Sequence, residues 1–345
     1  MHEERKPLPS RGEGGADDSV GWDRRSFLRA AGGQAAAGAA GLLGGGRGTA
    51  LAEAGSSGAR GGMLIIDCHA HLYSADTAKY PPGAKAPLTP PKGTGTVEHL
   101  RRLTKENGVR FVNCTQPRSY YQYDNRFTAD TARANRDWMV GVVNLDPDDP
   151  GSPALLEKYV RDDNVRGLVS VTGKSGRFDA PVVVRLWEVA SQLGIVINLN
   201  INPPEVQGVE AMLGRFPKVR VALDHTLNMT VRNLDRTLPA ARRLARHRNV
   251  HTKLSFLPTG SAQQYPFRDL HEPCREVIKA FGPERCVWGS NFPCELWCKN
   301  LRGEPSTYAQ HVRLFTHELG LDQATREAIL GKTGLALWHS GHSRS

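Results

Sequence analysis

From Met63 onward the chain alternates short apolar runs with longer amphipathic stretches, and no other feature narrows its fold as far. Strands are predicted over 63–68, 111–115, 138–144, 166–171, 195–200, 219–224, 250–255 and 286–290. Helical spacing falls near 96–107, 126–136, 153–162, 181–193, 205–215, 231–248 and 268–281, with two closing helices near 306–319 and 322–331. Such alternation implies parallel βα units. Eight strands within residues 63–338 match an α/β architecture of the (β/α)₈ TIM-barrel type, for which about 250 residues is typical. A doubly wound sheet would want a glycine-rich phosphate turn after an early strand, and none is present. The segment after the first strand carries Pro81, Pro82, Pro87, Pro90 and Pro91. It is expected to form a stiff cover over the C-terminal face, where barrel enzymes keep their sites.

The first strand runs directly into Asp67-Cys68-His69-Ala70-His71. Regular strand alternation sends Asp67, His69 and His71 to one side and Cys68 and Ala70 to the other. Twelve histidines in 345 residues yield about 0.4 such His-x-His pairs by chance, so position at a strand end is what marks this one. Other strands also end in polar side chains: Thr115-Gln116, Asn198 with Asn200, Asp224-His225, Lys253 with Ser255, and Ser290-Asn291. Packing alone explains this poorly, whereas barrel catalysis draws on such positions.

Residues 1–54 have a different character. Asp23-Arg24-Arg25-Ser26-Phe27-Leu28-Arg29 precedes a weakly apolar Ala/Gly/Leu stretch and the small-residue sites Ala50-Leu51-Ala52 and Ala52-Glu53-Ala54. This resembles a twin-arginine signal peptide. The resemblance implies a bacterial protein that meets the twin-arginine export machinery and ends in the periplasm, the cell envelope or the medium. The apolar stretch is too short for a stable membrane anchor. A flexible linker over 55–62, the barrel over 63–338 and a disordered tail over 339–345 complete the expected organisation.

The formal net charge is +10, and residues 1–54 contribute seven basic and seven acidic groups, so the balance resides in the remainder. A basic surface attracts anionic small molecules. Neither finger spacing nor a basic run interleaved with aromatics is present, which argues against nucleic acid. Arg242, Arg243, Arg246 and Arg248 read as a solvated helix face. Of the six cysteines, Cys68, Cys114 and Cys286 lie in or beside strands as small buried hydrophobes. Cys294 and Cys298, four apart after the last strand, are open to a bridge, a metal or two free thiols.

Met63–His71, Gln116-Pro117-Arg118-Ser119-Tyr120 with Asp124-Asn125, Asp224-His225, Lys253-Leu254-Ser255 and Gly289-Ser290-Asn291-Phe292-Pro293 together resemble the amidohydrolase-2 group. The nearest branch is that of the sugar lactonases and the pyrone-dicarboxylate lactonase. The resemblance covers essentially all of 63–338. It implies a TIM-barrel hydrolase that opens a lactone or related ester. His69 and His71 match the family's first-strand metal pair, and His225 its sixth-strand histidine. The strand-5 metal histidine is replaced by Asn198 or Asn200, and the strand-8 aspartate by Asn291. An asparagine amide neither holds a metal well nor takes a proton from water. One divalent ion, zinc or manganese, is therefore expected to bind weakly or to be absent.

The expected catalytic set is His225 or Glu295 as base, with Lys253 and Asn291 as donors to the oxyanion; His225 is equally open as a third metal ligand. Lys253, Gln116, Asn125 and Asn198 are the substrate-binding candidates, and His69 and His71 polarise the carbonyl. A non-oxidative decarboxylase and a non-catalytic binding barrel are the alternatives. Oligomeric state is not legible.

Overall fold

The structure is a computed structural model that describes residues 62–342. The signal-peptide assignment and residues 55–61 of the linker lie outside the described residues, as do 343–345. Eight parallel strands follow one another around the sheet in chain order: β1 Ile65–Ala70, β2 Val109–Thr115, β3 Met139–Asn144, β4 Val165–Val169, β5 Val196–Leu199, β6 Val221–Leu223, β7 Val250–Lys253 and β8 Cys286–Val287. The seam between β8 and β1 is nearly closed. Cys68 N–H donates to Trp288 O (3.1 Å), Asn291 N–H to His69 O (2.8 Å) and His71 N–H to Phe292 O (2.7 Å).

The outer layer comprises α1 Val97–Glu106, α2 Arg126–Ala134, α3 Ser152–Asp162, α4 Pro181–Leu193, α5 Val206–Arg215, α6 Leu234–Leu244 and α7 His271–Phe281. Local chemistry sets their ends. Thr96 Oγ1 caps α1 by accepting from His99 N–H. In α4, Pro181 opens the helix, Gly194 at φ +66° closes it, and Val183, Val184, Leu186, Trp187 and Ala190 form its buried face. A further helix, α8 Tyr308–Arg313, starts from a Thr307–Gln310 capping box and leads into the closing helices. Arg242, Arg243, Arg246 and Arg248 are exposed, and Arg242 and Arg243 pair with Glu276 and Glu210.

Two local features depart from regular expectation. Strand β1 is bulged: Asp67 pairs with Val112 but Ala70 with Cys114, so three steps on β1 match two on β2. Cys68 and His69 therefore both turn inward, Cys68 joining Ile66, Val196 and Ala222 in the inner cluster, whereas Asp67 turns out to meet Ser290 and Tyr308. The expectation that Asp67 shares a face with His69 and His71 is corrected, because a bulge resets the period-two alternation. The second departure is at the C-terminus. His339, assigned by sequence to the tail, is buried with its Nε2 2.8 Å from Asn113 Oδ1, and Trp338 beside it closes the base of the barrel.

Candidate active site

The inner histidines form an ordered chain of hydrogen bonds. Lys253 Nζ lies 3.1 Å from His69 Nδ1, His69 Nε2 lies 3.2 Å from His71 Nε2, and His71 Nδ1 lies 2.9 Å from Thr115 O. An ammonium can only donate and a carbonyl can only accept. The protons are thereby placed: His69 accepts at Nδ1 and donates from Nε2, and His71 accepts at Nε2 and donates from Nδ1. Lys253 is fully buried, 2.9 Å from Asp224 Oδ1, with its ammonium 5.5 Å from the Trp338 ring. Burial raises the Asp224 carboxyl, but Lys253 and His69 outweigh it and hold it well below the usual range. Burial, reinforced by Lys253, keeps His69 neutral, and burial likewise lowers His71.

His225 reaches the same centre through an unusual backbone. His225, Thr226, Leu227 and Asn228 all have positive φ, at 51°, 45°, 62° and 52°. A left-handed turn costs L-residues roughly 1–2 kcal/mol each, so neighbours must impose it. Thr226 Oγ1 bonds Thr252 Oγ1 and Lys253 O, Leu227 is fully buried, and Asn228 Nδ2 donates to Asn200 Oδ1. The turn lets consecutive residues both serve the site. Asp224 pairs with Lys253, while the His225 ring lies 4.8 Å from that of His69. His225 Nδ1 is 2.8 Å from Ser255 Oγ, and burial lowers its pKa to about 4.

Asn291 completes the rim. Its φ of 56° turns the chain sharply beyond the end of β8, and its side chain hydrogen-bonds His71. Behind it, Asp67 accepts from His69 N–H, Ser290 N–H, Ser290 Oγ–H and Tyr308 O–H, tying β1, β8 and α8 together. Gly289 is required by contact: a Cβ there would stand 2.7 Å from His69 Cβ.

The structure brings together His69, His71, His225, Lys253 and Asn291 of the sequence candidates. Asn198 points inward from β5, and both its side-chain polar atoms are buried without a partner among the described residues. Thr115 Oγ1, Gln116 Oε1 and Asn144 Oδ1 share that condition. Gln116 Nε2 is engaged by Gln122 O, and Asn125 clamps the Asn144 backbone from both sides. Glu295 stands apart, half-exposed with Oε1 3.6 Å from His99 Nε2 of α1. Lys253 is placed behind His69 rather than in the open site. Asp224 and Ser255, unselected from sequence, are part of the cluster. A lysine on a buried strand needs a counter-charge, and that was the available signal for Asp224. Above the site the proline-rich cover contributes Tyr73 and Tyr80, which pack with Tyr120 and Tyr121, and Trp297 Nε1 donates to Tyr73 Oη.

The two histidine Nε2 atoms converge as two ligands of one ion would, but the donor set stops there. No third His, Cys, Asp or Glu atom closes a group with them among the described residues. The Lys253 ammonium also holds the His69 proton on Nε2, the atom a metal would need. Catalytic zinc takes three good protein ligands, and these residues do not fit it.

A near-closed parallel barrel with a buried Lys–Asp–His cluster at its C-terminal end has the architecture of a TIM-barrel enzyme. The chain belongs to the amidohydrolase family, whose profile matches residues 66–339. It is similar to an L-fucono-1,5-lactonase of Burkholderia ambifaria, 24% identical over 236 residues that span 66% of this chain and 80% of that protein. A probable 2-pyrone-4,6-dicarboxylic acid hydrolase from Acinetobacter baumannii, solved with citric acid bound, superposes with a TM-score of 0.65 at 16% identity, covering 80% of this chain and 99% of that one. A zinc-bound amidohydrolase from Burkholderia multivorans does so with a TM-score of 0.63 at 22% identity, with the same coverage.

Proposed function

We propose that this chain hydrolyses a lactone, and that the substrate is hydroxylated rather than carboxylated. The observation that carries this is a set of neutral polar side-chain atoms at strand ends, on Thr115, Gln116, Asn144 and Asn198, buried without a partner among the described residues, together with a cluster whose buried cation is already paired with Asp224. Neutral acceptors and an amide suit hydroxyl groups, because each buried polar atom wants a partner. The lactonase relative supports the same reading.

In this mechanism the lactone carbonyl oxygen takes the place of His71 as acceptor of the His69 Nε2 proton. His225, with its Nδ1–H donated to Ser255 Oγ, receives a proton from water at Nε2 as the water oxygen bonds to the carbonyl carbon. His69 and the Asn291 amide hold the oxyanion; one such donor is worth about 10²–10³ in rate. Collapse breaks the ring C–O bond, and His225 returns the proton to the leaving oxygen, giving the open hydroxy acid. Lys253 acts through His69 by fixing its tautomer. No step passes through a metal. A decarboxylase would need a free cation for the carboxylate, which disfavours that reading.

The test is proton release by purified protein on aldono-1,5-lactones and on a pyrone carboxylate. Faster turnover of the hydroxylated lactones, lowered about 10²–10³-fold in kcat by His225→Asn, is expected. Folded protein that opens neither class, or that releases carbon dioxide from an aromatic carboxylate, would overturn the reading. We further infer that residues 1–54 direct export by the twin-arginine route. Cell fractionation should recover a processed chain outside the cytoplasm, and an unprocessed cytoplasmic chain would refute this.

A further inference from the structure

Beyond the barrel centre, one group of ligand-type side chains among the described residues is unused by the reaction. Cys294 and Cys298, on the helical turn after β8, and His311 of α8 are buried, and their ligand atoms all lie within 4.8 Å of one another. They converge on a single backbone oxygen. Cys294 Sγ is 3.9 Å from Ser290 O, Cys298 Sγ 3.4 Å and His311 Nδ1 3.0 Å, while Cys294 Sγ and His311 Nδ1 are 3.7 Å apart. Zinc bonds of about 2.3 Å to sulfur and about 2.0–2.2 Å to nitrogen or oxygen, placed tetrahedrally, give ligand–ligand edges of about 3.4–3.8 Å. The four observed separations, 3.0–3.9 Å, bracket that range.

The surrounding hydrogen bonds accommodate an ion at His311 Nδ1. Ser306 Oγ lies 2.7 Å from His311 Nε2 and 3.1 Å from Cys298 O. Cys298 O also accepts from Ser306 N–H at 2.9 Å, so the Ser306 hydroxyl can pair with His311 Nε2 as donor or as acceptor. If Nδ1 binds an ion, the imidazole proton moves to Nε2 and donates to Ser306, whose own proton then serves Cys298 O. That is the outer-shell arrangement usual for metal-bound histidine. A doubly protonated His311 satisfies the same bonds, so the test must separate ion from proton.

We propose that Cys294, Cys298, His311 and the Ser290 carbonyl form a closed, four-coordinate structural zinc site, separate from the His69–His71 pair. Binding releases the two thiol protons to solvent and leaves the imidazole neutral, so two thiolates balance the dication. The ion ties the turn carrying Ser290 and Asn291 to α8, the junction that Asp67 also braces.

The experiment is elemental mass spectrometry on the purified full chain after zinc loading and desalting, with His69→Ala/His71→Ala and Cys294→Ser/Cys298→Ser variants alongside. About one zinc per chain, kept in the histidine variant and lost in the cysteine variant, is expected. Cobalt(II)-loaded wild type should show a thiolate-to-cobalt charge-transfer band, which decides the matter even if the cysteine variant does not fold. Zinc lost from the histidine variant but kept by the cysteine variant would overturn the proposal. So would no retained zinc, no charge-transfer band, or fewer than six titratable thiols in denaturant. None of these readouts depends on lactone hydrolysis, so either proposal can fail alone.

Discussion

At the scale of single residues, Lys253 and Asp224 set the chemistry of their neighbours. Their ion pair is buried on both sides, and the ammonium also dictates which nitrogen of His69 carries the proton. Removing one member of a buried pair strands the other, which costs about 3–5 kcal/mol, whereas replacing both with neutral groups is tolerated far better. Lys253→Met is therefore expected to lower the unfolding free energy by that amount and kcat by about 10²-fold. Lys253→Met with Asp224→Asn should regain most of the stability but not the activity, since the His69 tautomer is no longer enforced. Urea unfolding and turnover measured on the same three proteins check both halves.

At the scale of elements, the site depends on places where strands break their own rules. The β1 bulge turns two consecutive residues inward, and the left-handed turn after β6 does the same for Asp224 and His225. Close passage of β8 across β1 requires a residue without Cβ at 289. Gly289→Ala is expected to push His69 away from Lys253. Overpacking of this kind costs typically about 1–3 kcal/mol, and the misplaced donor should lower kcat at least tenfold with less effect on KM. Steady-state kinetics together with a thermal melt test this, and an unchanged kcat would show that the junction yields without moving His69.

For the whole molecule, the buried charges predict acid sensitivity. His225 has a folded pKa of about 4 against an ordinary value of 6.5. Between those values the unfolded chain binds more protons, so stability falls as pH drops from 6.5 to 4 and is not recovered below that. The contribution is about 3 kcal/mol. Asp224, held below the usual carboxylate range, adds a further loss as pH falls below 3.8. Unfolding free energy should decline from pH 6.5 through pH 5, and His225→Asn should reduce the decline, the remainder coming from the likewise lowered His69 and His71. The same neutral His225 implies a kcat/KM that rises through pH 4–5 and levels by pH 6.

What the sequence determined by itself was the architecture and the strand ends. Hydrophobic periodicity is local, so all eight strands and the principal helices are readable within a few residues of their observed limits, and with them the polar termini of β1, β6, β7 and β8. Tertiary structure decided which of those polar residues meet. The bulge that reverses Asp67, the left-handed turn that aims His225, and the burial of Lys253 between Asp224 and His69 arise from contacts between strands far apart in the chain. No local pattern records them, because register and backbone strain are imposed by neighbours rather than by the segment that bears them.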